Sequence, residues 1–168
     1  MEEKNPVIVP RNNWLLGSIR VVVLVGVVIA WNHVIRQFYT FYTYEQTFFK
    51  VKDCVIPNPV TTPCFYGAFG FLLALVIVWK FSMKPVTKKA LTWFTLYLLA
   101  GSLFAWYNAG RDLINFYTPH TAGVIGCSGA VITNPFTTAC FQGAVLFLLA
   151  FIFSAIWLLG SKKASPKL

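Results

Sequence analysis

The residues in this chain that are best suited to chemistry are its four cysteines, Cys54, Cys64, Cys127 and Cys140. Two of them, Cys64 and Cys140, lie in nearly identical stretches, NPVTTPCFYG from Asn58 and NPFTTACFQG from Asn134. Cysteines form disulfides, and their thiolates act as nucleophiles in redox enzymes. The pattern therefore raises two hypotheses, structural disulfide bonds and thiol redox catalysis.

The two stretches belong to a longer internal repeat. Seven residues recur with the same identity 75 positions later: Gly26, Ala30, Trp31, Arg36, Phe41, Tyr42 and Thr43. From Asn58 onward the offset is 76, and it continues through the cysteine and the apolar run that follows. Coincidence in apolar composition would not keep Arg, Asn-Pro and Cys in register. The sequence therefore indicates a tandem duplication.

Apolar helices must hold these residues in place. The chain is 57% hydrophobic and 11% charged, which is typical of a membrane protein. Four apolar blocks, 14–36, 65–81, 90–110 and 141–160, approach the roughly 20 residues that a helix needs to cross a bilayer. We predict an all-α membrane fold, a four-helix transmembrane bundle of two tandem parallel helical-hairpin repeats with both termini inside (N-in/C-in).

The predicted organisation has five parts. They are a cytoplasmic N-terminal segment (1–13), a first hairpin repeat (14–81, outer loop 37–64), a cytoplasmic basic loop (82–89), a second hairpin repeat (90–160, outer loop 111–140) and a cytoplasmic basic tail (161–168).

The distribution of basic residues predicts the orientation. Of the 14 lysines and arginines, only Arg36, Lys50, Lys52 and Arg111 fall on the side of the two outer loops. The positive-inside rule therefore places both termini in the cytoplasm, in a plasma or inner membrane. Anionic lipid headgroups suffice to explain the net charge of +9, so we expect no nucleic-acid partner. Tryptophans near the span ends predict an aromatic belt: Trp14, Trp31, Trp79, Trp93, Trp106 and Trp157.

All four cysteines fall on the extracytoplasmic side of this topology, which favours disulfides in an oxidising compartment. Four cysteines allow three pairings, and sequence alone does not choose among them. Because each copy contributes one pair, Cys54–Cys64 and Cys127–Cys140 are the simplest solution. No CxxC spacing is present, so we expect no metal site.

The repeated Asn-Pro-x-Thr-Thr stretch is interpreted as a helix start, with Thr61 or Thr62, and Thr137 or Thr138, as N-caps. In each first helix a small-xxx-small pair, Gly26/Ala30 and Gly101/Ala105, predicts that the first and third spans cross at the bundle centre.

Four spans, both termini inside and a cysteine pair in each outer loop resemble the plan of the DsbB family of disulfide-generating membrane proteins. The resemblance covers topology and loops, and it implies electron transfer from thiols to a quinone through Cys54, Cys64, Cys127 and Cys140. This chain departs from the family pattern, because it has no CxxC at the start of the second span and no Gln-Arg following one.

The polar residues His33, Arg36 and Arg111 lie at the outer ends of the first and third spans. They are candidates for binding an anion, a quinone carbonyl or a lipid headgroup. Both arginines could equally cap helix carbonyls or bind Asp112 and loop backbone. Together these patterns favour a non-catalytic membrane component that binds a lipid or a membrane or extracytoplasmic protein through its outer loops, without a cofactor. The alternative is a quinone-linked thiol–disulfide oxidoreductase, and a small transporter is third.

Overall fold

The structure is a computed structural model that describes residues 8–10, 12–46, 58–118, 126 and 131–163. Within these ranges it has four α-helices, α1 (Asn13–Glu45), α2 (Pro63–Met83), α3 (Lys88–Tyr117) and α4 (Ala139–Lys163), and two 3₁₀ turns, Pro59–Thr61 and Pro135–Thr137. All four helices are long and apolar enough to cross a membrane. The prediction of an all-helical, multi-pass membrane protein is confirmed at that level.

Two helices run beyond the predicted spans. α1 continues to Glu45 and ends where Gln46 takes a left-handed conformation, with φ at 55°. α3 continues to Tyr117 and ends at Thr118, directly before Pro119. Because neither extension contains glycine or proline, nothing in the sequence stops the helix earlier. The first residues of both predicted outer loops are therefore helical.

One end of the bundle, which we call the basic end, joins three segments that are distant in sequence. The Val9 amide donates to the Val86 carbonyl at 2.9 Å, so the N-terminal segment pairs with the α2–α3 connection. The Trp157 indole N–H donates to the Pro10 carbonyl at 3.2 Å, which fixes the end of α4 to the same segment. Trp157 is only 3% exposed. The prediction of an interfacial anchor is therefore wrong for this tryptophan, which belongs to the core.

The order of packing differs from the predicted one. α1 packs along α2 and α4, and α3 packs along α4, whereas the Cα atoms of α1 and α3 nowhere come within 8 Å of each other. The prediction that the first and third spans cross at the bundle centre is therefore wrong.

Phenylalanine rings occupy the space that was predicted for helix backbones. A Cβ atom added at Gly26 would lie 2.5 Å from Phe71 Cδ1, and one added at Gly101 would lie 2.8 Å from Phe147 Cε1. Each glycine thus accommodates a ring from the next helix of its own hairpin. The two rings are buried and stack on each other, with centroids 4.0 Å apart and an interplanar angle of 27°.

The outer surface of the bundle is apolar on every helix. Leu24, Val76, Leu103 and Ile152, one on each helix, are all exposed. The described polar contacts between spans lie inside instead, as where the hydroxyls of Thr95 and Ser154 approach to 2.7 Å between α3 and α4. An apolar exterior of this extent is suited to lipid contact.

Candidate functional site

The end of the bundle opposite the basic end, which we call the cysteine end, is formed by the starts of α2 and α4 and the ends of α1 and α3. Each repeated Asn-Pro-x-Thr-Thr stretch builds a 3₁₀ turn here. Asn58 Oδ1 accepts from the amide two residues later at 3.1 Å, and the Thr61 hydroxyl donates to the Asn58 carbonyl at 2.7 Å. The equivalent bonds at Asn134 measure 3.0 and 2.9 Å. The side chains thus satisfy backbone groups that a tight turn leaves unpaired.

The second threonine of each motif makes the predicted side-chain cap bond in one copy only. The Thr138 hydroxyl accepts from the Phe141 amide at 3.3 Å, so the prediction is confirmed there. The Thr62 side chain makes no cap bond and donates instead to the Pro59 carbonyl at 2.7 Å. In α2 the equivalent amide, that of Phe65, bonds to the Thr62 carbonyl. Thr62 is therefore the N-cap residue of α2, as predicted, but its hydroxyl does not make the predicted cap bond.

The two turns bring sulfur atoms together. Cys64 lies in the first turn of α2 and Cys140 in the first turn of α4, and both are buried. Their Sγ atoms are 3.5 Å apart, although 76 residues separate them in sequence. This distance is longer than the roughly 2.05 Å of a disulfide bond. It still places one sulfur within van der Waals reach of the other.

The predicted pairs Cys54–Cys64 and Cys127–Cys140 remain predictions. Cys54 and Cys127 lie outside the described residues. The contact between Cys64 and Cys140 is an additional finding, because it joins the two hairpins where the predicted pairs would each stay within one.

Polar side chains from α1 and α3 surround Cys64. Gln37, near the end of α1, hydrogen bonds with Cys64, and its Oε1 atom lies 3.4 Å from the Thr62 hydroxyl. Asp112, on α3, is 4% exposed and close enough to Cys64 to interact with it electrostatically. A carboxylate and an amide thus lie beside a sulfur at the edge of an apolar bundle, and an ionisable group in such a place is a candidate for function.

Of the three predicted ligand residues, one is half-buried and two lie at the surface. His33 is half-buried and hydrogen bonds with the Gln142 side chain at the start of α4. Arg36 and Arg111 are both exposed. Because α1 and α3 do not contact each other, the described structure does not hold the two arginines in one buried site. Only His33 therefore lies against the helix start that carries one of the sulfurs.

A cavity of about 390 Å³ lies next to the sulfurs, between α2, α3 and α4. Cys64, Cys140 and Asn108 contribute to its wall at the cysteine end. The remaining wall is formed almost entirely by apolar and small residues, and the stacked rings of Phe71 and Phe147 lie at its opposite end. Its volume falls at the small end of the about 300–1,000 Å³ that is usual for ligand sites.

Glycines at equivalent positions of the repeat leave this volume open. Gly67 and Gly143 both line the cavity, one turn after Cys64 and Cys140 respectively. No atom lies within 4 Å of a Cβ added at Gly67, and at Gly143 only Phe71 does, at 3.9 Å. A Cβ atom could therefore be accommodated at both positions, and its absence leaves room for a ligand.

Among the residues that the structure describes, no three His, Cys, Asp or Glu side chains are grouped so that they could hold a metal ion. No family model, curated protein or solved structure matches this chain. The class of protein is therefore defined by its own fold and site: a multi-pass helical membrane protein with two buried, adjacent sulfurs beside an apolar cavity.

Three polar residues of this site were not assigned to the sulfurs or to His33 from the sequence. Gln37, Asp112 and Gln142 approach the sulfurs or His33 only because α1, α3 and α4 meet at the cysteine end. Asp112 had one available signal, since it is an acidic residue that directly follows a predicted span. The cysteines themselves were predicted as candidates, but their mutual contact was not.

Proposed function

We propose that the chain is a membrane thiol–disulfide oxidoreductase, in which Cys64 and Cys140 exchange electrons with a quinone-type ring bound in the adjacent cavity. The observation that carries this proposal is the 3.5 Å separation of the two sulfurs at the wall of a cavity of about 390 Å³. A purely structural role requires neither the contact nor the cavity. For this reason we place the redox function ahead of the non-catalytic function that the sequence favoured.

The first chemical step is thiol–disulfide exchange between the hairpins. A thiolate at Cys64 attacks the Cys140 sulfur of a disulfide that Cys140 makes with a second cysteine. The Cys64–Cys140 bond forms, the old bond breaks, and the displaced cysteine leaves as a thiolate. The proposed partners within the chain are Cys54 for Cys64 and Cys127 for Cys140.

The second step returns the electrons to the membrane. A substrate dithiol first reduces the Cys64–Cys140 disulfide to two thiols, and the substrate leaves as a disulfide. The Cys64 and Cys140 thiols then form their disulfide again and lose two electrons and two protons. A quinone in the cavity takes up both and becomes a quinol, so the atoms and electrons balance. Substrate electrons enter from a thiol protein outside the membrane, since the proposed orientation places the cysteine end on the extracytoplasmic side.

The orientation and the duplication are part of this proposal. The N-terminal segment, the α2–α3 connection and the end of α4 share the basic end, as both termini inside would require. Equivalent glycines accommodate equivalent phenylalanines in the two hairpins, which supports a duplicated unit. A plasma or inner membrane with the basic end in the cytoplasm follows from the positive-inside rule.

Cysteine variants test the redox step. We expect the purified protein to reduce a soluble short-chain quinone when a dithiol is supplied, and we expect Cys64→Ser and Cys140→Ser to lose this activity. Mass spectrometry of acid-quenched samples should show a Cys64–Cys140 disulfide during turnover. Wild-type protein that reduces no quinone, together with disulfides that never change partners, would refute the proposal.

A cavity-filling variant tests the acceptor site separately. Gly67→Leu places a side chain in the cavity at a position where a Cβ atom meets no other atom within 4 Å, and it should abolish quinone binding and turnover. Gly160→Leu is the matched control, since nothing lies within 4 Å of its Cβ position and it is far from the cavity in the sequence of α4. Equal activity of both variants would show that the cavity is not the quinone site.

The second candidate is a non-catalytic membrane protein that binds a lipid in the same cavity. The apolar wall of the cavity favours it specifically. Under this function, Gly67→Leu would still displace a bound lipid, whereas Cys64→Ser and Cys140→Ser would bind it as the wild type does. Native mass spectrometry of the three variants therefore separates the two candidates.

A further inference from the structure

The cavity is not enclosed equally on all sides. α1 packs along α2 and α4, and α3 packs along α4, but α2 and α3 meet over a much shorter stretch. The side of the bundle between α2 and α3 is therefore the weakest wall of the cavity. The lining residues come from α2, α3 and α4, with Ala30 as the single contribution of α1 among the described residues.

Two aromatic residues at this wall belong both to the cavity and to the outer surface. Tyr66, on α2, lines the cavity and is 59% exposed, and Phe104, on α3, lines it and is 47% exposed. Ala100, one turn before Phe104, also lines the cavity and is exposed. A side chain that faces both the cavity and the bilayer marks an opening between them. We call the opening between α2 and α3 at Tyr66, Ala100 and Phe104 the lateral slot.

The lateral slot is bounded at its inner end by a hydrogen bond between the two helices. The Tyr97 hydroxyl, on α3, donates to the Gly70 carbonyl, on α2, at 2.7 Å. Both residues line the cavity. The slot therefore extends from the cysteine end to about the middle of the span and closes there, since Tyr97 ties α2 to α3.

We infer that the ligand of this cavity is an amphiphile with a ring-like head and a single long apolar tail, which enters from the bilayer and leaves its tail in the lateral slot. The sulfurs and Asn108 lie at one end of the cavity, where a head with carbonyl or hydroxyl groups can be bound. A long tail can leave the cavity through the lateral slot, where Tyr66 and Phe104 are exposed. The inference rests on the proposed function for the identity of the head, and on the slot alone for the tail.

A substitution in the lateral slot tests the binding of the tail separately from the binding of the head. Ala100→Trp should cover the lateral slot while leaving the sulfur end of the cavity open. We expect it to weaken the binding of a decyl-tailed benzoquinone about tenfold or more, a change of about 1.4 kcal/mol, and to leave a tail-less benzoquinone within about twofold of the wild type. The control is Leu103→Trp, on the same helix, exposed and outside the cavity lining. It should change neither affinity.

The outcomes separate the two hypotheses. Equal losses for tailed and tail-less quinones in Ala100→Trp would overturn the lateral slot while leaving the quinone site in place. Unchanged affinity for both would also overturn it. Unfolding of Ala100→Trp would be detected by its thermal transition, and Phe104→Trp would then replace it, because Phe104 is also exposed at the slot.

A second measurement does not depend on a quinone. Protein reconstituted in vesicles that contain a diazirine-labelled fatty acid is irradiated, and the adducts are mapped by mass spectrometry. We expect adducts at Tyr66, Phe104 and the cavity glycine Gly67, with fewer in Ala100→Trp. Labelling that is uniform around all four helices would overturn the slot, even if quinone binding and turnover were established.

Discussion

Replacing Gly26 by alanine should destabilise the protein, although alanine is the better helix former. A Cβ atom at this position would lie 2.5 Å from Phe71 Cδ1, well inside the contact distance of two carbon atoms. Phe71 is 2% exposed and stacked on Phe147 at 4.0 Å, so its ring can move away from Gly26 only by giving up this stacking. The methyl group must therefore displace packed groups.

The magnitude follows from two opposing terms. Alanine in place of glycine inside a helix gains about 1 kcal/mol. Overpacking of a rigid core costs about 1–3 kcal/mol. Gly17, on the same helix, has nothing within 4 Å of its Cβ position and so shows the first term alone. We expect the free energy of unfolding of Gly26→Ala to fall about 1–3 kcal/mol below that of Gly17→Ala.

Denaturant unfolding in mixed micelles measures this difference, with tryptophan fluorescence as the signal. A double-mutant cycle with Phe71→Leu tests the cause, because the smaller side chain should relieve the clash and give a coupling energy of about 0.5–3 kcal/mol. If Gly26→Ala is as stable as Gly17→Ala, or if the coupling energy is zero, the packing of Phe71 against Gly26 is refuted.

Three further predictions follow from local contacts. Asn58→Ala should lower the free energy of unfolding by about 1 kcal/mol because the turn before α2 loses its capping oxygen, and Asn134→Ala should do the same at α4. Wild-type melting temperatures for both variants would contradict this role of the two asparagines. Thr95→Val and Ser154→Ala should each cost about 0.6 kcal/mol and show coupling in a double-mutant cycle; additive effects would mean that the hydroxyls do not interact. In intact cells, an impermeant maleimide should label Tyr39→Cys above the wild-type background, and it should label Met83→Cys only after permeabilisation. The reverse pattern of labelling would overturn the proposed orientation.

The site itself could be predicted only in part. Its cysteines and the turns before them are local features, because Asn-Pro-x-Thr-Thr satisfies its own backbone groups within five residues. Gln37 and Asp112 could not be assigned to Cys64 in this way. Their distance from it depends on the packing of α1 and α3 around the start of α2.

The sequence by itself determined the four apolar segments, since hydrophobic length is a property of contiguous residues. Only the tertiary structure decided which surfaces meet. Gly26 and Gly101 were interpreted as backbone contacts, yet each accommodates a phenylalanine ring, because a small residue leaves space that either partner can fill. This packing separates α1 from α3. It also places the starts of α2 and α4 so that Cys64 Sγ and Cys140 Sγ lie 3.5 Å apart, although 76 residues separate them in sequence. A contact between helices of this kind depends on the packing of the whole bundle, which no local pattern specifies.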